Sequence, residues 1–403
     1  MKKINKFNKN ILLFVFVAVF IIGGMFSMNN IRPVLGSVKY LITGKFTVDE
    51  AKHTIELATN DDLQYHNDLI DINSLKENIL YTHLIKKDDS TVVKNDDGFL
   101  GYTSSDTLDD SEINQITESI EQLKDISEEN QAEFLYCQAP AKEYYYSFPQ
   151  NAENRKLENN EKLIEALRDK GVPYLDFMDI FEEEDIPTNE LFYRTDHHWK
   201  EYPGFVAYQS LCKELKSRYG FEYSQEYMDY SNYNIKDYPN CFLGSIGRQV
   251  GRYFTWQGLD DFRLITPKFE TNMTEEQPIK GETRSGTFEE SVLFMDHLDG
   301  DIYKTNPYSV YSGGDFRLQI MKNNLNQQGK KILLIRDSFA CVVAPFLALQ
   351  TSELHICDMR DMDGMIGDKI NMEDYIKEIK PDYVVVLYTH VGDSSNSRYN
   401  FFM

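Results

Sequence analysis

The chain contains 403 residues, of which 65 are acidic and 42 are basic, so its formal net charge is −23. Apolar residues make up 41% of the chain, which is enough for packed cores and excludes general disorder. The negative charge argues against a nucleic-acid-binding surface, because contact with phosphates requires clustered positive charge. We therefore expect no nucleic acid among its partners.

The first 28 residues differ from the rest of the chain. Four lysines precede the apolar run Ile11–Met28, and residues 1–28 contain no acidic residue. Ser27 is the only polar side chain in the run. As a helix, this run approaches the roughly 30 Å thickness of a bilayer core. By the positive-inside rule the lysines stay cytoplasmic. The pattern predicts a signal-anchor over residues 1–28 with the C-terminal domain extracellular; a cleaved signal peptide, and hence secretion, is the alternative.

The segment after the anchor carries few chemical signals. Residues 29–77 are predicted to form a helical stalk. Residues 78–102 are predicted to form a short hairpin, because the Asp-Asp-Gly sequence at 96–98 is a turn signal between two apolar runs. Apolar residues then recur at spacings of three and four over Asp109–Asn130, which predicts an amphipathic helix.

From residue 133 onward, short apolar strands alternate with helices. The predicted strands are Glu133–Cys137, Val172–Asp176, Lys331–Ile335, Leu354–Cys357 and Tyr383–Tyr388. The predicted helices cover about 153–170, 177–184, 201–219, 339–349 and 372–379. This alternation predicts an α/β domain over residues 78–403, with a mostly parallel sheet covered on both faces. Residues 221–290 break the rhythm and are predicted to be an insertion of strands and loops.

A first cluster of residues with catalytic potential follows the predicted strand Lys331–Ile335. Ser338 lies in the sequence Arg-Asp-Ser-Phe, between the strand that ends near Ile335 and a helix. A serine at such a turn projects its hydroxyl above the carboxyl end of the sheet, and its amide can stabilise an oxyanion. An ordinary helix cap is the alternative for Ser338.

A second cluster supplies a base and an acid. Asp196 and His198 lie two residues apart in Thr-Asp-His-His-Trp, so in extended backbone both side chains leave the same face. A serine nucleophile needs a histidine base that a carboxylate orients. A zinc site would need three or four converging ligands, with His297 and its acidic neighbours as additional donors. No metal-motif spacing is present, and we expect no metal and no cofactor.

These motifs together are similar to those of a known family. Residues 78–403 resemble the DHHW-motif proteins of the SGNH hydrolase superfamily, which are similar to the O-acetyltransferase-like proteins of alginate acetylation. The resemblance depends on GFLGY at 98–102, TDHHW at 195–199, YSGGD at 311–315 and RDSF at 336–339. It implies a three-layer SGNH-like fold in which Asp196 and His198 act on Ser338, with Trp199 packing beside them or facing a sugar.

The resemblance also implies an oxyanion hole built from a serine amide, a glycine amide and an asparagine side chain. Ser338, Gly314 and Asp315 occupy the matching positions, and Asp315 departs from the expected asparagine. Further candidates for binding substrate are arginines near these motifs, namely Arg248, Arg252 and Arg360. The glycine-rich stretch that contains the first two is interpreted as either a substrate-facing loop or a packing turn.

The sequence therefore predicts a serine-dependent enzyme of the cell envelope that transfers or removes an acyl group, most simply acetyl, on a cell-surface polysaccharide. The resemblance adds a membrane-bound O-acyltransferase as the partner that supplies the acyl group. The alternative is a catalytically inactive SGNH-fold protein that binds glycan or scaffolds an envelope complex.

Overall fold

The computed structural model describes residues 39–40, 66–87, 90–104, 107–149, 154–361, 365–391 and 397–402. The predicted signal-anchor and most of the predicted stalk lie outside these residues. Within the described part, no helix combines the length and apolarity needed to cross a bilayer. The chain divides into two compact units, Met1–Leu80 and Tyr81–Met403.

The helices and strands are numbered here in chain order. The helices are α1 (His66–Ile79), α2 (Asp110–Glu129), α3 (Lys156–Asp169), α4 (Phe177–Glu183), α5 (Thr188–Leu191), α6 (Glu201–Tyr219), α7 (Gln225–Met228), α8 (Ser245–Val250), α9 (Phe288–Ser291), α10 (Ala340–Gln350) and α11 (Met372–Ile379). The strands are β1 (Leu84–Lys86), β2 (Thr91–Lys94), β3 (Leu100–Tyr102), β4 (Glu133–Gln138), β5 (Tyr174–Asp176), β6 (Tyr233–Phe242), β7 (Asp260–Pro267), β8 (Met273–Gln277), β9 (Glu282–Gly286), β10 (Leu318–Asn323), β11 (Lys331–Arg336), β12 (Glu353–Asp358) and β13 (Tyr383–Tyr388).

An eight-stranded mixed sheet forms the centre of the larger unit, in the order β5-β4-β13-β11-β12-β10-β8-β9. The first five strands are parallel to one another, as predicted from the alternation of strands and helices. Strands β10, β8 and β9 extend the sheet through antiparallel pairs. The prediction of an α/β fold is confirmed, and the sheet is more mixed than the sequence indicated.

Each face of the sheet carries its own hydrophobic core, which gives the fold three layers. In β11, Ile332 and Leu334 face one core while Leu333 and Ile335 face the other, because successive strand residues point to opposite faces. Helices α6 and α10 contribute to the first core, and α2, α3 and α11 contribute to the second. Burial on both faces explains why the parallel strands are continuously apolar in sequence.

Local signals account for the ends of the main helices. Helix α2 begins with a reciprocal capping box, in which the Asp109 and Glu112 side chains each accept from the other's backbone N–H. Helix α6 ends at Gly220, whose φ of 75° closes the helix in the left-handed conformation.

Two smaller antiparallel sheets, β1-β2-β3 and β6-β7, accompany the main one.

Candidate active site

Ser338 lies at the carboxyl end of β11, which has a parallel neighbour on each side, β13 and β12. It occupies the turn between Arg336, the last residue of β11, and Ala340, the first residue of α10. Its side chain is partly exposed, while its neighbours in sequence are buried. Open α/β sheets bind their ligands along this edge. The turn therefore presents a hydroxyl to solvent from a rigid base.

Asp337 fixes the shape of this turn. Its carboxylate accepts from the backbone N–H of Phe339 at 3.0 Å and from that of Thr389 at 2.7 Å. The guanidinium of Arg398 donates to the same carboxylate at 3.0 Å, and both side chains are about 2% exposed. These three bonds occupy Asp337 as a structural acceptor that holds the turn in place.

Ser338, His198 and Asp196 form a continuous chain of hydrogen bonds. The Ser338 Oγ lies 2.7 Å from His198 Nε2, and His198 Nδ1 lies 2.5 Å from Asp196 Oδ1. Burial opposes ionisation of Asp196, but the imidazoles of His198 and His197 and the hydrogen bonds to its carboxylate outweigh that effect, so its pKa lies well below its usual range. An ionised Asp196 only accepts, so His198 Nδ1 donates to it and Nε2 is left to accept the Ser338 proton.

The loop that carries Asp196 and His198 is anchored by a buried carboxylate at the start of β7. Asp260 accepts from the backbone N–H groups of Arg194 at 2.8 Å and Thr195 at 2.7 Å, and from the Thr195 hydroxyl at 2.6 Å. On the other side, the ammonium of Lys142 donates to the Arg194 carbonyl at 2.8 Å and to the Asp196 carbonyl at 2.9 Å. Burial lowers the pKa of Lys142 to about 8.

Helix α8 contacts the same loop from the opposite direction. The backbone N–H of Ser245 donates to Asp196 Oδ2 at 2.6 Å, and the amide of Gly244 donates to the Thr195 hydroxyl at 2.9 Å. A Cβ on Gly244 would lie only 2.3 Å from the Cβ of Asp196. The glycine-rich stretch interpreted above as a loop or packing turn thus approaches the acid at backbone distance, which only glycine permits.

Gly314 and Asp315 lie in the segment that precedes β10. Within the described residues, neither the amide of Gly314 nor that of Ser338 donates a hydrogen bond to the protein. The carboxylate of Asp315 accepts from Arg336 and pairs with Arg360 at 3.0 Å. Burial opposes its ionisation, but these two guanidinium groups outweigh that effect and lower the pKa of Asp315 to about 2. An ionised carboxylate has no proton to donate, so Asp315 does not fit the oxyanion-hole role that the sequence indicated.

The remaining residues predicted to bind substrate take different positions. Trp199 is fully buried against Phe177, Phe181 and Phe339, so it packs beneath the site and does not face a sugar. Arg360 is held by the carboxylates of Asp358 and Asp315, which neutralise its charge.

The two other arginines border the loop between α8 and β7. Arg248 donates to the Thr305 carbonyl at 3.1 Å, and the Arg252 guanidinium lies 4.8 Å from the ring of Tyr253. Trp256, which is 67% exposed, is on the same loop. The residue after it, Gln257, accepts from Arg194. An exposed indole therefore lies on a loop flanked by α8 and β7, which both contact the Asp196 loop, a feature that sequence reasoning missed.

Three potential metal ligands also meet here. One donor atom each from Asp196, His197 and His198 lie within 4.8 Å of one another. Both oxygens of Asp196 and both ring nitrogens of His198 already bond to protein groups, and His197 Nδ1 lies 2.9 Å from the Ser245 Oγ. The observed arrangement is therefore that of a hydrogen-bonded triad with its ligand atoms in use.

Comparison with known proteins confirms the family resemblance predicted from the sequence. The family model of the SGNH hydrolase-like domain of the acetyltransferase AlgX matches residues 92–240. This segment contains Asp196 and His198, whereas Ser338 follows it in the chain. No curated protein matches the sequence.

Solved structures show the same fold. PatB1 of Bacillus cereus, in a structure with a sulfonyl adduct, is 19% identical over 79% of this chain and 99% of PatB1, with a TM-score of 0.62. A DHHW family protein from Eubacterium siraeum is 17% identical over 79% of this chain and 98% of that protein, with a TM-score of 0.58. At these identities the likeness establishes an α/β SGNH-like architecture.

Proposed function

We propose that the protein is an acyltransferase or esterase that moves an acetyl group on a polysaccharide, with Ser338 as nucleophile, His198 as base and Asp196 as the carboxylate that orients it. The observation that carries the proposal is the hydrogen-bonded chain from Ser338 through His198 to Asp196. The match of residues 92–240 to an acetyltransferase domain supports acetyl as the group transferred. The resemblance to alginate O-acetyltransferase-like proteins supports a polysaccharide as substrate.

The proposed reaction has two balanced steps. Ser338 Oγ attacks the carbonyl carbon of the acetyl donor while its proton passes to His198 Nε2, and the leaving alcohol then takes that proton as the C–O bond of the donor breaks. In the second step the acceptor hydroxyl attacks the acetyl-serine carbonyl carbon while its proton passes to His198 Nε2. The bond between Ser338 Oγ and that carbon then breaks, and His198 returns the proton to Ser338 Oγ. A sugar hydroxyl as acceptor gives transfer, and water gives hydrolysis.

Two backbone amides are proposed to stabilise the oxyanion of each tetrahedral intermediate. Ser338 and Gly314 support this role because neither amide has a protein acceptor among the described residues. A preorganised amide pair acts on charge that exists only near the transition state, which is where stabilisation accelerates the reaction. We leave Asp315 out of the oxyanion hole and assign it to the ion pair with Arg336.

The polysaccharide is proposed to pass over the loop between α8 and β7. Trp256 offers a large exposed ring that can stack on the apolar face of a sugar. Arg248, in α8, and Arg252, in the loop that follows it, supply positive charge on an otherwise acidic protein. Because this loop is anchored to the Asp196 loop, a sugar bound there stays close to the triad.

We also propose that residues 1–28 anchor the catalytic domain, residues 78–403, at the outer face of the cell membrane, with residues 29–77 as the stalk. The apolar run behind four lysines supports this location, which would place the enzyme beside a membrane-bound O-acyltransferase that supplies acetyl groups. Deletion of residues 1–28 should move the protein from the membrane fraction to the soluble fraction. Recovery in the membrane fraction after the deletion would refute the anchor.

Turnover of a small acetyl ester tests the chemistry. Wild-type protein should hydrolyse 4-nitrophenyl acetate, and Ser338→Ala or His198→Ala should lower kcat/KM at least about 1,000-fold. Ser352→Ala is the matched control, because its hydroxyl contacts only the Lys330 carbonyl and lies at the opposite end of α10. Equal turnover by wild type and Ser338→Ala would refute the assignment of the nucleophile.

The ion-paired state of Asp315 favours a second candidate, a catalytically inactive SGNH-fold protein that binds glycan or scaffolds an envelope complex. A side-chain donor to the oxyanion is then missing, which weakens catalysis. This candidate predicts no turnover by wild type, together with sedimentation on insoluble cell-envelope polysaccharide that Trp256→Ala abolishes. Turnover that depends on Ser338 would exclude it.

A further inference from the structure

The imidazole of His198 lies between two other rings. The ring of Tyr308 is stacked on it, with centroids 4.1 Å apart and planes 15° apart. The ring of His197 lies 3.9 Å away with a tilt of 36°. Two rings whose centroids both lie this close to the His198 centroid would collide if they covered the same face of His198. Tyr308 and His197 therefore cover opposite faces of His198. Rotation of the His198 ring out of its plane is blocked on both sides.

Tyr308 also contacts the segment of the nucleophile. Its hydroxyl donates to the backbone carbonyl of Phe339 at 2.9 Å, one residue after Ser338. The side chain is fully buried, and burial raises its pKa well above the usual range, so the hydroxyl remains a donor at all relevant pH values. One side chain thus contacts the base through its ring and the nucleophile turn through its hydroxyl.

The other side of the stack is fixed in a similar way. His197 Nδ1 lies 2.9 Å from the Ser245 Oγ, so the amide of Ser245 holds Asp196 while its hydroxyl holds His197. Partial burial and the neighbouring His198 lower the pKa of His197, which is therefore neutral near pH 7. A neutral ring at this position covers His198 without repelling the imidazolium that forms during the reaction.

Charged and titratable groups face the stack from several elements. Asp196 belongs to the same loop, and Asp315 interacts with His198 from the segment before β10. Asp337 and Cys341 face Tyr308 from the nucleophile turn and α10. His197 is faced by Lys156, from α3, by Glu143 and by His390. The ring of Phe339 also lies near the His198 ring, with centroids 5.1 Å apart and a tilt of 50°, but the rings of Tyr308 and His197 lie closer and cover its two faces.

We infer that Tyr308 is a positioning residue for the proposed reaction: its ring, opposed by His197, holds the His198 imidazole in the plane that aims Nε2 at Ser338, and its hydroxyl holds the Ser338 turn in register with that base. The inference depends on the proposed function, because it assigns His198 the role of base. Tyr308 acts through the His198 ring and the Phe339 carbonyl.

Two substitutions separate the ring from the hydroxyl. Tyr308→Phe keeps the stack and loses one hydrogen bond, so kcat for 4-nitrophenyl acetate should fall no more than about tenfold. Tyr308→Leu removes the stack, so kcat should fall up to about 100-fold with little change in KM. His197→Ala, at a side chain that is 39% exposed, should fold normally and lower kcat to an intermediate extent.

The pH profile provides a readout that a purely structural role would not move. A tyrosine face stabilises an imidazolium, so its loss in Tyr308→Leu should shift the acid limb of kcat/KM to lower pH by about half a unit or more. Tyr308→Phe should leave the limb in place. A profile and kcat unchanged from wild type in both Tyr308→Leu and His197→Ala would overturn the inference.

A spectroscopic measurement distinguishes failure of this inference from failure of the proposed function. The proton shared by His198 Nδ1 and Asp196 Oδ1, 2.5 Å apart, should give a far-downfield NMR resonance. That signal should persist in Tyr308→Phe and broaden or vanish in Tyr308→Leu, whether or not the protein turns over any ester. A signal that persists in Tyr308→Leu overturns the positioning role, whereas absent turnover with the expected signals refutes the proposed function alone.

Discussion

Gly244→Ala is the smallest change that should separate the acid of the triad from its backbone donor. The added Cβ would lie 2.3 Å from the Cβ of Asp196 and 2.5 Å from its Cα. Ordinary van der Waals contact begins near 3.4 Å, so the two segments must move apart by about an ångström. The Ser245 N–H to Asp196 Oδ2 distance would then grow from 2.6 Å to beyond hydrogen-bonding range. A displacement of this size at a catalytic group costs about 100-fold in rate, or about 2.7 kcal/mol of transition-state stabilisation.

The assay is hydrolysis of 4-nitrophenyl acetate, with urea unfolding measured on the same preparations. We expect Gly244→Ala to lose about 1–3 kcal/mol of stability through overpacking and about 100-fold in kcat/KM. Gly281→Ala is the control: it has a φ of 70°, so alanine strains the backbone there, but its Cβ would meet nothing within 4 Å. It should lose about 1 kcal/mol of stability at unchanged kcat/KM. A folded Gly244→Ala protein with wild-type kcat/KM would show that the close approach to Asp196 is not needed.

Three further predictions concern charge and substrate. Asp315→Asn removes one of the two carboxylates that pair with the buried Arg336, while Asp358 remains, and should cost about 1.5–3 kcal/mol by urea unfolding. Because the pKa of Asp315 is lowered to about 2, its contribution in wild type should be complete above about pH 4 and decline from pH 4 towards pH 2. Burial raises the pKa of Glu201, which accepts a hydrogen bond from the Tyr193 hydroxyl, to about 7. Between about pH 4.3 and pH 7 the folded state therefore retains a proton that the unfolded state loses, so the free energy of unfolding should fall by up to about 1.4 kcal/mol per pH unit. Glu201→Gln should remove this slope in urea unfolding. Trp256→Ala should weaken binding to cell-envelope polysaccharide several-fold in sedimentation assays while leaving turnover of 4-nitrophenyl acetate unchanged.

The pattern of apolar residues in the sequence was sufficient to predict the helices and strands of the parallel half of the fold. Helix α6, strand β13 and helix α11 occupy the ranges predicted for them. Strand β13 is an unbroken apolar run that is buried at every position, and the buried residues of α11 are spaced three and four apart from Met372. For the antiparallel half, the sequence predicted strands and loops over residues 221–290 without individual bounds, and it did not predict β10. In β8 the buried positions include Glu275 and Gln277, and in β10 they include Gln319. Polar residues on the buried face of a strand conceal the alternation that predicts it.

The sequence was sufficient to nominate the proposed catalytic residues, but not to identify the distant residues that hold them in place. Asp196 and His198 are neighbours in sequence, and Ser338 follows a clear strand, so local motifs were enough to nominate all three. The groups that hold them are distant: Asp260 is 65 residues from Thr195, and Ser245 is 49 residues from Asp196. No sequence period links such pairs. The glycine spacing that contains Gly244 was visible, but its reason, a contact with the backbone of Asp196, appears only in three dimensions.

Covalent labelling by a sulfonyl fluoride tests the central claim, an activated Ser338, most directly. PatB1, which shares the fold, was solved with a sulfonyl adduct. Phenylmethylsulfonyl fluoride should add one sulfonyl group to the wild-type protein, located on Ser338 by peptide mass spectrometry. His198→Ala should abolish the labelling, because the base that removes the serine proton is gone. Labelling of Ser338 at an equal rate in His198→Ala, or no labelling of wild type, would contradict the proposed triad.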